Sequence, residues 1–184
     1  HLLHFVTQLR TTDTWLLFLL PAAGLLSVGI YTLFRQRENR GTNQVIDAVL
    51  KGEEVSAYVS PTIILASAVT HMFGGSAGRE GAALQIGASN ASLISRGLRL
   101  GRRDRRVMIL CGMSAVFAGL FGTPLTATLF CMEFISVGML FSPALLPGYL
   151  AAYTASRISA ALGVHAEGLS LETAAAVTLG NVWK

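Results

Sequence analysis

Residues 14–34 and 55–78 contain no Asp, Glu, Lys or Arg, and residues 107–156 contain only Glu133. Stretches this long without charge do not suit the exterior of a water-soluble domain, in which about a quarter of all residues are charged. Here 13% of the 184 residues are charged, 52% are hydrophobic, and the mean hydropathy is +0.56. The remaining charges sit between the apolar stretches, with eleven of the fourteen Lys and Arg residues between Arg35 and Arg106. At the ends of apolar segments they read as topology signals that mark cytoplasmic ends. The net charge of +4 is then no argument for nucleic acid as a partner. The pattern predicts a multi-pass integral membrane protein in a lipid bilayer, and the cell membrane is its expected location. Its class is all-α, because a helix satisfies every backbone polar group within one segment.

A membrane helix needs about 20 apolar residues, so the chain can supply only some five or six segments. Residues 1–13 read as the end of an upstream helix and a linker, and residues 164–184 as the start of a new element. The chain opens at His1 without a signal segment, which suggests a beginning inside a longer protein. Within 14–163, the first span is expected over Trp15–Phe34, with Pro21 tolerated inside it. Val45, Ile46, Val49 and Leu50 recur at helical spacing and predict a short amphipathic helix within Gly41–Tyr58. Pro61–Phe73 is apolar but too short to span. Arg79-Glu80-Gly81 opens a further helix that runs over Ala82–Leu98, and others are expected over Val107–Phe121, Pro124–Val137 and Pro143–Leu162. Gly87, Ala88, Ser89, Ala91 and Ser92 form a small-residue pattern that permits close helix approach. The arginines over 96–106 read as a solvated turn beside anionic lipid, and Gln85 as a bond between helices. His71 reads as a packed, hydrogen-bonded helix residue. Cys111 and Cys131 read as small buried hydrophobes without a disulfide.

The informative irregularity is the glycine-rich break Gly74-Gly75-Ser76-Ala77-Gly78-Arg79-Glu80-Gly81. Neither phosphate-binding fingerprint fits its glycine spacing. Gly74-x-Ser76-x-Gly78 matches a nucleophile elbow in letters, but no strand precedes it and no suitable acid and histidine follow. Two readings stay open. In one, the helix N-terminus after the break receives an anion on the backbone amides of residues 78–82, beside Glu80. In the other, the break serves helix packing and Glu80 merely complements the helix dipole.

The letters around the break resemble a known family. Gly74 to Phe134, GGSAGREGAALQIGASNASLISRGLRLGRRDRRVMILCGMSAVFAGLFGTPLTATLFCMEF, is similar to the core of the voltage-gated chloride channels and anion/proton antiporters. It carries a form of the G-R-E-G-P motif, then Q-I-G, the arginine-rich turn, and the Pro-Leu-x-x-x-Leu-Phe-x-x-Glu helix in order. A looser resemblance covers residues 14–163. It implies broken, tilted helices forming about one half of an inverted-repeat fold, in a homodimer with one pore per subunit. It also implies that Glu80 is the gate, swung aside by protonation or by an incoming anion. Gly78, Arg79, Gly81 and Ala82 would surround the ion. The family's first anion motif, G-S-G-I-P, falls at Gly41 to Val45, Gly-Thr-Asn-Gln-Val, where Thr42 replaces the serine and Asn43 stands beside it. Ala82 replaces the proline of the second motif. Both departures resemble the fluoride-exporting branch and favour fluoride over chloride.

Glu133 aligns with a family glutamate near the inner face, and the resemblance allows it a structural pairing or a place in the proton path. Phe134 stands where the antiporters carry a second acid. The expected activity is transport of chloride or fluoride, by a gated channel or with protons as the coupled ion. No enzymatic function and no cofactor are expected. A non-conducting helical scaffold that retains the family core is the alternative.

Overall fold

The computed structural model describes residue 6 and residues 14–36, 41–136, 138 and 140–164. The readings of 1–13 and 164–184 lie almost wholly outside the described residues. All regular structure among them is helical.

Pro21 decides the first element. In place of one helix over Trp15–Phe34, a 3-10 stretch Thr14–Leu19 leads into α1, Leu20–Leu33. Proline has no N–H, and its ring collides with the carbonyl four residues earlier. An α-helix therefore starts readily at proline but runs through it poorly. Next come α2, Thr42–Lys51, and α3, Val59–Met72. In α2, Val45, Ala48 and Val49 are buried while Asn43 and Lys51 are exposed, so the helix is amphipathic as expected, but Leu50 is exposed and Ala48 takes its place on the buried face.

The glycine-rich break ends α3 in a Schellman motif. Gly74 has φ 84°, its N–H donates to the His71 carbonyl (3.2 Å), and the Gly75 N–H donates to the Thr70 carbonyl (2.8 Å). The following helices are α4, Arg79–Gly97, α5, Arg102–Phe121, and α6, Pro124–Ile135. A short 3-10 turn, Ser142–Ala144, leads into α7, Leu145–Ala161.

α4 opens at Arg79 as expected, whereas α3 starts at Val59 rather than Pro61 and α5 at Arg102 rather than Val107. The arginine-rich segment is thus mostly helix, and only residues 98–101 form a turn. Arg105 is partly buried and pairs with Glu54 at 3.2 Å, and Arg106 lies 4.8 Å from the centre of the Phe141 ring. These partners hold cations at a helix N-terminus, where the dipole alone would disfavour them.

α5 is the axis of the molecule and packs on α4, α6, α7 and α2, while α1 lies antiparallel on α3. The rings of Phe34 and Tyr58 meet at one end of that second pair, and Leu20 lies beside Gly75 at the other. The core joins Val45 and Val49 to Leu84, Ala88, Ile109, Leu110, Met113, Cys131 and Met132. Both cysteines are buried and unpaired. The small-residue face of α4 does what its pattern suggests. A Cβ on Gly112 would lie 2.5 Å from both the Gly87 carbonyl oxygen and the Ala91 Cβ, so the α4 and α5 backbones nearly touch.

Among the described residues, no helix is long and apolar enough to cross a membrane. The charge-free α1 has 14 residues and rises about 21 Å, and its 3-10 lead-in adds about 12 Å. The 20-residue α5 has the length but opens with four arginines and Asp104. The exterior is nonetheless apolar, with Leu25, Leu26, Val28 and Leu33 of α1, Leu146, Leu150 and Ile158 of α7 and its C-cap Leu162 all exposed.

Candidate functional site

The two segments read as anion motifs are 37 residues apart in sequence and adjacent in space. Gly41 is the N-cap of α2, and Gly78 is the N-cap of α4. A Cβ on Gly81 would lie 3.4 Å from the Thr42 Cγ2, so the first turns of the two helices meet. Beyond α2, the same partners meet again: the Val55 N–H donates to the Ser92 Oγ (2.9 Å), and the Ser89 hydroxyl donates to the Ser56 carbonyl (2.8 Å). Ten helical residues rise about 15 Å, which matches both the length of α2 and the climb along α4 from Gly81 to Ser89–Ser92. The helices therefore run side by side in the same direction, with both N-termini at one place.

Two parallel dipoles with adjacent positive ends repel each other, and a negative charge at that end relieves the repulsion. Neither N-cap has a side chain to supply one, and no side-chain cap bond forms at either. A helix leaves its first N–H groups outside its own hydrogen-bond ladder. In α4 these include the N–H groups of Gly78, Glu80 and Gly81, whereas that of Ala82 is the first with an acceptor inside the helix. Ala82 instead packs its side chain on the core. Glu80 sits at the second position of α4, exposed, as are Gly78, Arg79 and Asn43. Gly41, Thr42 and Gly81 are half-buried.

Gly41 is held at φ 61° and ψ −135°, a conformation open in practice only to glycine. No atom lies within 4 Å of the position its Cβ would take, so a substitution would act through the backbone alone. Gly41→Ala should cost about 1–3 kcal/mol and turn the Thr42 amide out of place. A lower thermal midpoint with reduced anion flux is the expected result, and an unchanged midpoint would show that the turn is unstrained by alanine.

The other expected residues lie apart from this junction. Glu133, in the last turn of α6, accepts the Gly138 N–H on its Oε2 at 3.0 Å. Among the described residues no hydrogen bond or ion pair joins it to Glu80. Phe134 packs against the core. Gln85 donates to the Gly81 carbonyl of its own helix at 3.2 Å rather than to a neighbouring helix. The two residues are one turn apart, so the shorter reach wins. The His71 Nδ1 is 2.8 Å from the Ser67 carbonyl oxygen, in keeping with a hydrogen-bonded helix residue. Sequence reasoning missed the ties of Ser89 and Ser92 to the segment after α2, because small residues at helical spacing signal close packing without naming the donor's partner.

The comparisons with known proteins agree with this architecture. The model of the voltage gated chloride channel family matches residues 23–184. A chloride/fluoride channel protein of Pseudomonas syringae pv. tomato is 39% identical over 88% of the chain, which spans 36% of that relative. A voltage-gated ClC-type chloride channel, ClcB, of Escherichia coli O81 is 27% identical over 95% of the chain, which spans 42% of it. Among solved structures, a CLC-type fluoride/proton antiporter superposes with a TM-score of 0.86 at 34% identity, over 99% of this chain and 46% of its own. The chain thus spans less than half the length of each of these proteins. The order of its motifs, the meeting of two uncapped helix N-termini and the match over residues 23–184 lead to one conclusion: this chain belongs to the voltage gated chloride channel family.

Proposed function

We propose that the protein carrying this chain moves a small halide across a membrane, with the α2 and α4 N-termini as part of the anion site and Glu80 as its gate. The observation that carries this reading is the contact of Thr42 with Gly81 beneath an exposed acid. The amides of Thr42, Asn43, Gly78 and Gly81 would face the ion, with Gly41 setting the turn and Arg79 adding positive potential. The Glu80 carboxylate is the resident negative charge that an arriving anion displaces or a proton neutralises. Glu133 takes second place in the proton path. Its carboxylate already serves the Gly138 N–H, and protonation would weaken a charge-assisted bond.

Fluoride is favoured over chloride. Thr42 and Ala82 depart from the chloride motifs, Asn43 offers an added amide, and a small, strongly hydrated anion needs more or stronger donors. Two of the similar proteins are described as a chloride/fluoride channel and a fluoride/proton antiporter. The test is efflux from liposomes holding the protein, followed with fluoride- and chloride-selective electrodes. Faster fluoride than chloride efflux is expected. Rapid chloride efflux with negligible fluoride efflux reverses the ion, and the absence of both leaves the scaffold alternative.

The protein works as a multi-pass homodimer in the cell membrane, with the arginines of 35–40 and 96–106 on the cytoplasmic side. Cysteines introduced at 37 and 102 should be shielded from impermeant thiol reagents added to intact cells. Labelling at either position inverts the topology.

A further inference from the structure

Resting on that reading of the site, we propose that Arg105 is a positioning residue for anion binding, acting from the opposite end of α2. Its guanidinium closes on the C-terminal end of that helix. Nη1 donates to the carbonyl of Gly52, the C-cap of α2, at 3.4 Å, and Nη2 pairs with the Glu54 carboxylate at 3.2 Å. The Arg105 side chain is 18% exposed and that of Glu54 43%, so the pair sits at the edge of the protein with the arginine turned inward. Gly52 itself is buried against α5, where an added Cβ would lie 3.1 Å from both the Cβ and the carbonyl oxygen of Arg102.

Two consequences follow for a helix only ten residues long. A cation at its C-terminal end complements the dipole and holds that end of the helix in place. The same bonds fix the C-terminal end of α2 against α5. A short helix moves as a unit, so a displacement at Gly52 reappears at Thr42, where the amides meet the ion. The remaining ties of this segment, Gln36 to Ser56, Ser89 to Ser56 and Ser92 to Val55, survive the loss of Arg105 and keep the segment folded, while the C-terminal end of α2 loses its bond to α5.

The experiment measures initial flux against anion concentration in liposomes holding the protein, unmodified or as Arg105→Gln, Arg105→Lys, Glu54→Gln or Arg103→Gln. The ion used is the one the unmodified protein moves. Arg105→Gln should raise the apparent KM about fivefold while the maximal rate per reconstituted protein stays within about twofold. Arg105→Lys should recover most of the affinity. Arg103→Gln removes the same charge from an exposed position and should leave the KM alone. An unchanged KM in Arg105→Gln overturns the proposal, even if less protein folds, and so does an equal rise in Arg103→Gln. Should Arg105→Gln fail to reconstitute, Glu54→Gln decides: a KM raised about twofold supports the proposal, and an unchanged KM overturns it. Unmodified protein that moves no anion overturns the site reading and this inference together. Normal flux with unaltered variants overturns only this inference.

Discussion

Glu80→Gln and Glu80→Ala should each abolish the pH dependence of anion flux in the protein carrying this chain, and Glu80→Ala should also uncouple any accompanying proton movement while anions continue to pass. The acid stands at the second position of α4, exposed, next to the point where two helices present their N-termini. A carboxylate there competes with an anion for the same amides. Glutamine keeps the shape without the charge and mimics the protonated form, whereas alanine removes the obstruction altogether. One titrating carboxyl can change the open population by at most about tenfold per pH unit, and both variants should flatten that slope. Proton and anion fluxes recorded together from the same liposomes provide the check. Wild-type pH dependence with intact coupling in Glu80→Ala would remove Glu80 from the gate.

The largest expected effect on stability falls at Gly87. An added methyl group there collides with the Gly112 carbonyl oxygen and crowds the Met113 Cα at 2.9 Å. These are backbone atoms, which cannot rotate away as a side chain can, so the two helices must separate. Overpacking in a close-packed interior costs about 1–3 kcal/mol, and the backbone contact puts Gly87→Ala at or above the upper end. Because Glu80 lies about two turns before Gly87 on α4, parting this helix from α5 also disturbs the anion site. Gly87→Ala should lower the thermal midpoint of the solubilised protein and broaden its size-exclusion profile. Gly24→Ala, at a site with no atom within 4 Å of the added carbon, should do neither. Equal midpoints for the two variants would mean that the helix crossing tolerates expansion.

The family and the class of the fold were legible in the letters because both rest on local constraints. Charge-free stretches have few physical uses, and the order of the glycine-rich break, the arginines and the Pro124 helix resembles the core of one known family. The Gly74 break was visible for a similar reason, since two adjacent glycines before a Ser end a helix whatever surrounds them. Small residues on α4 likewise announced a close crossing, because few other arrangements require Gly87, Ala88 and Ala91 on one helix.

What the letters did not show lies between segments distant in sequence. Residues 14–34 lack charge throughout, so apolarity alone could not choose between one continuous span and the 3-10 turn with α1. The choice came from the missing N–H of Pro21. Arg105 and Arg103 are two residues apart in the same cluster, and composition treats them alike. Only the packing of α5 against Gly52 turns one inward to Glu54 and leaves the other exposed. Gln85 could have reached another helix by chemistry, but a carbonyl one turn away was nearer. Most of all, nothing in the spacing of Thr42 and Gly81 brings them together. Sequence alone determined that a short amphipathic helix lies within Gly41–Tyr58 and that another follows the glycine-rich break. That the two N-termini point the same way and meet was decided by tertiary structure, where Val45 and Val49 join Leu84 and Ala88 in one core and lay α2 along α4.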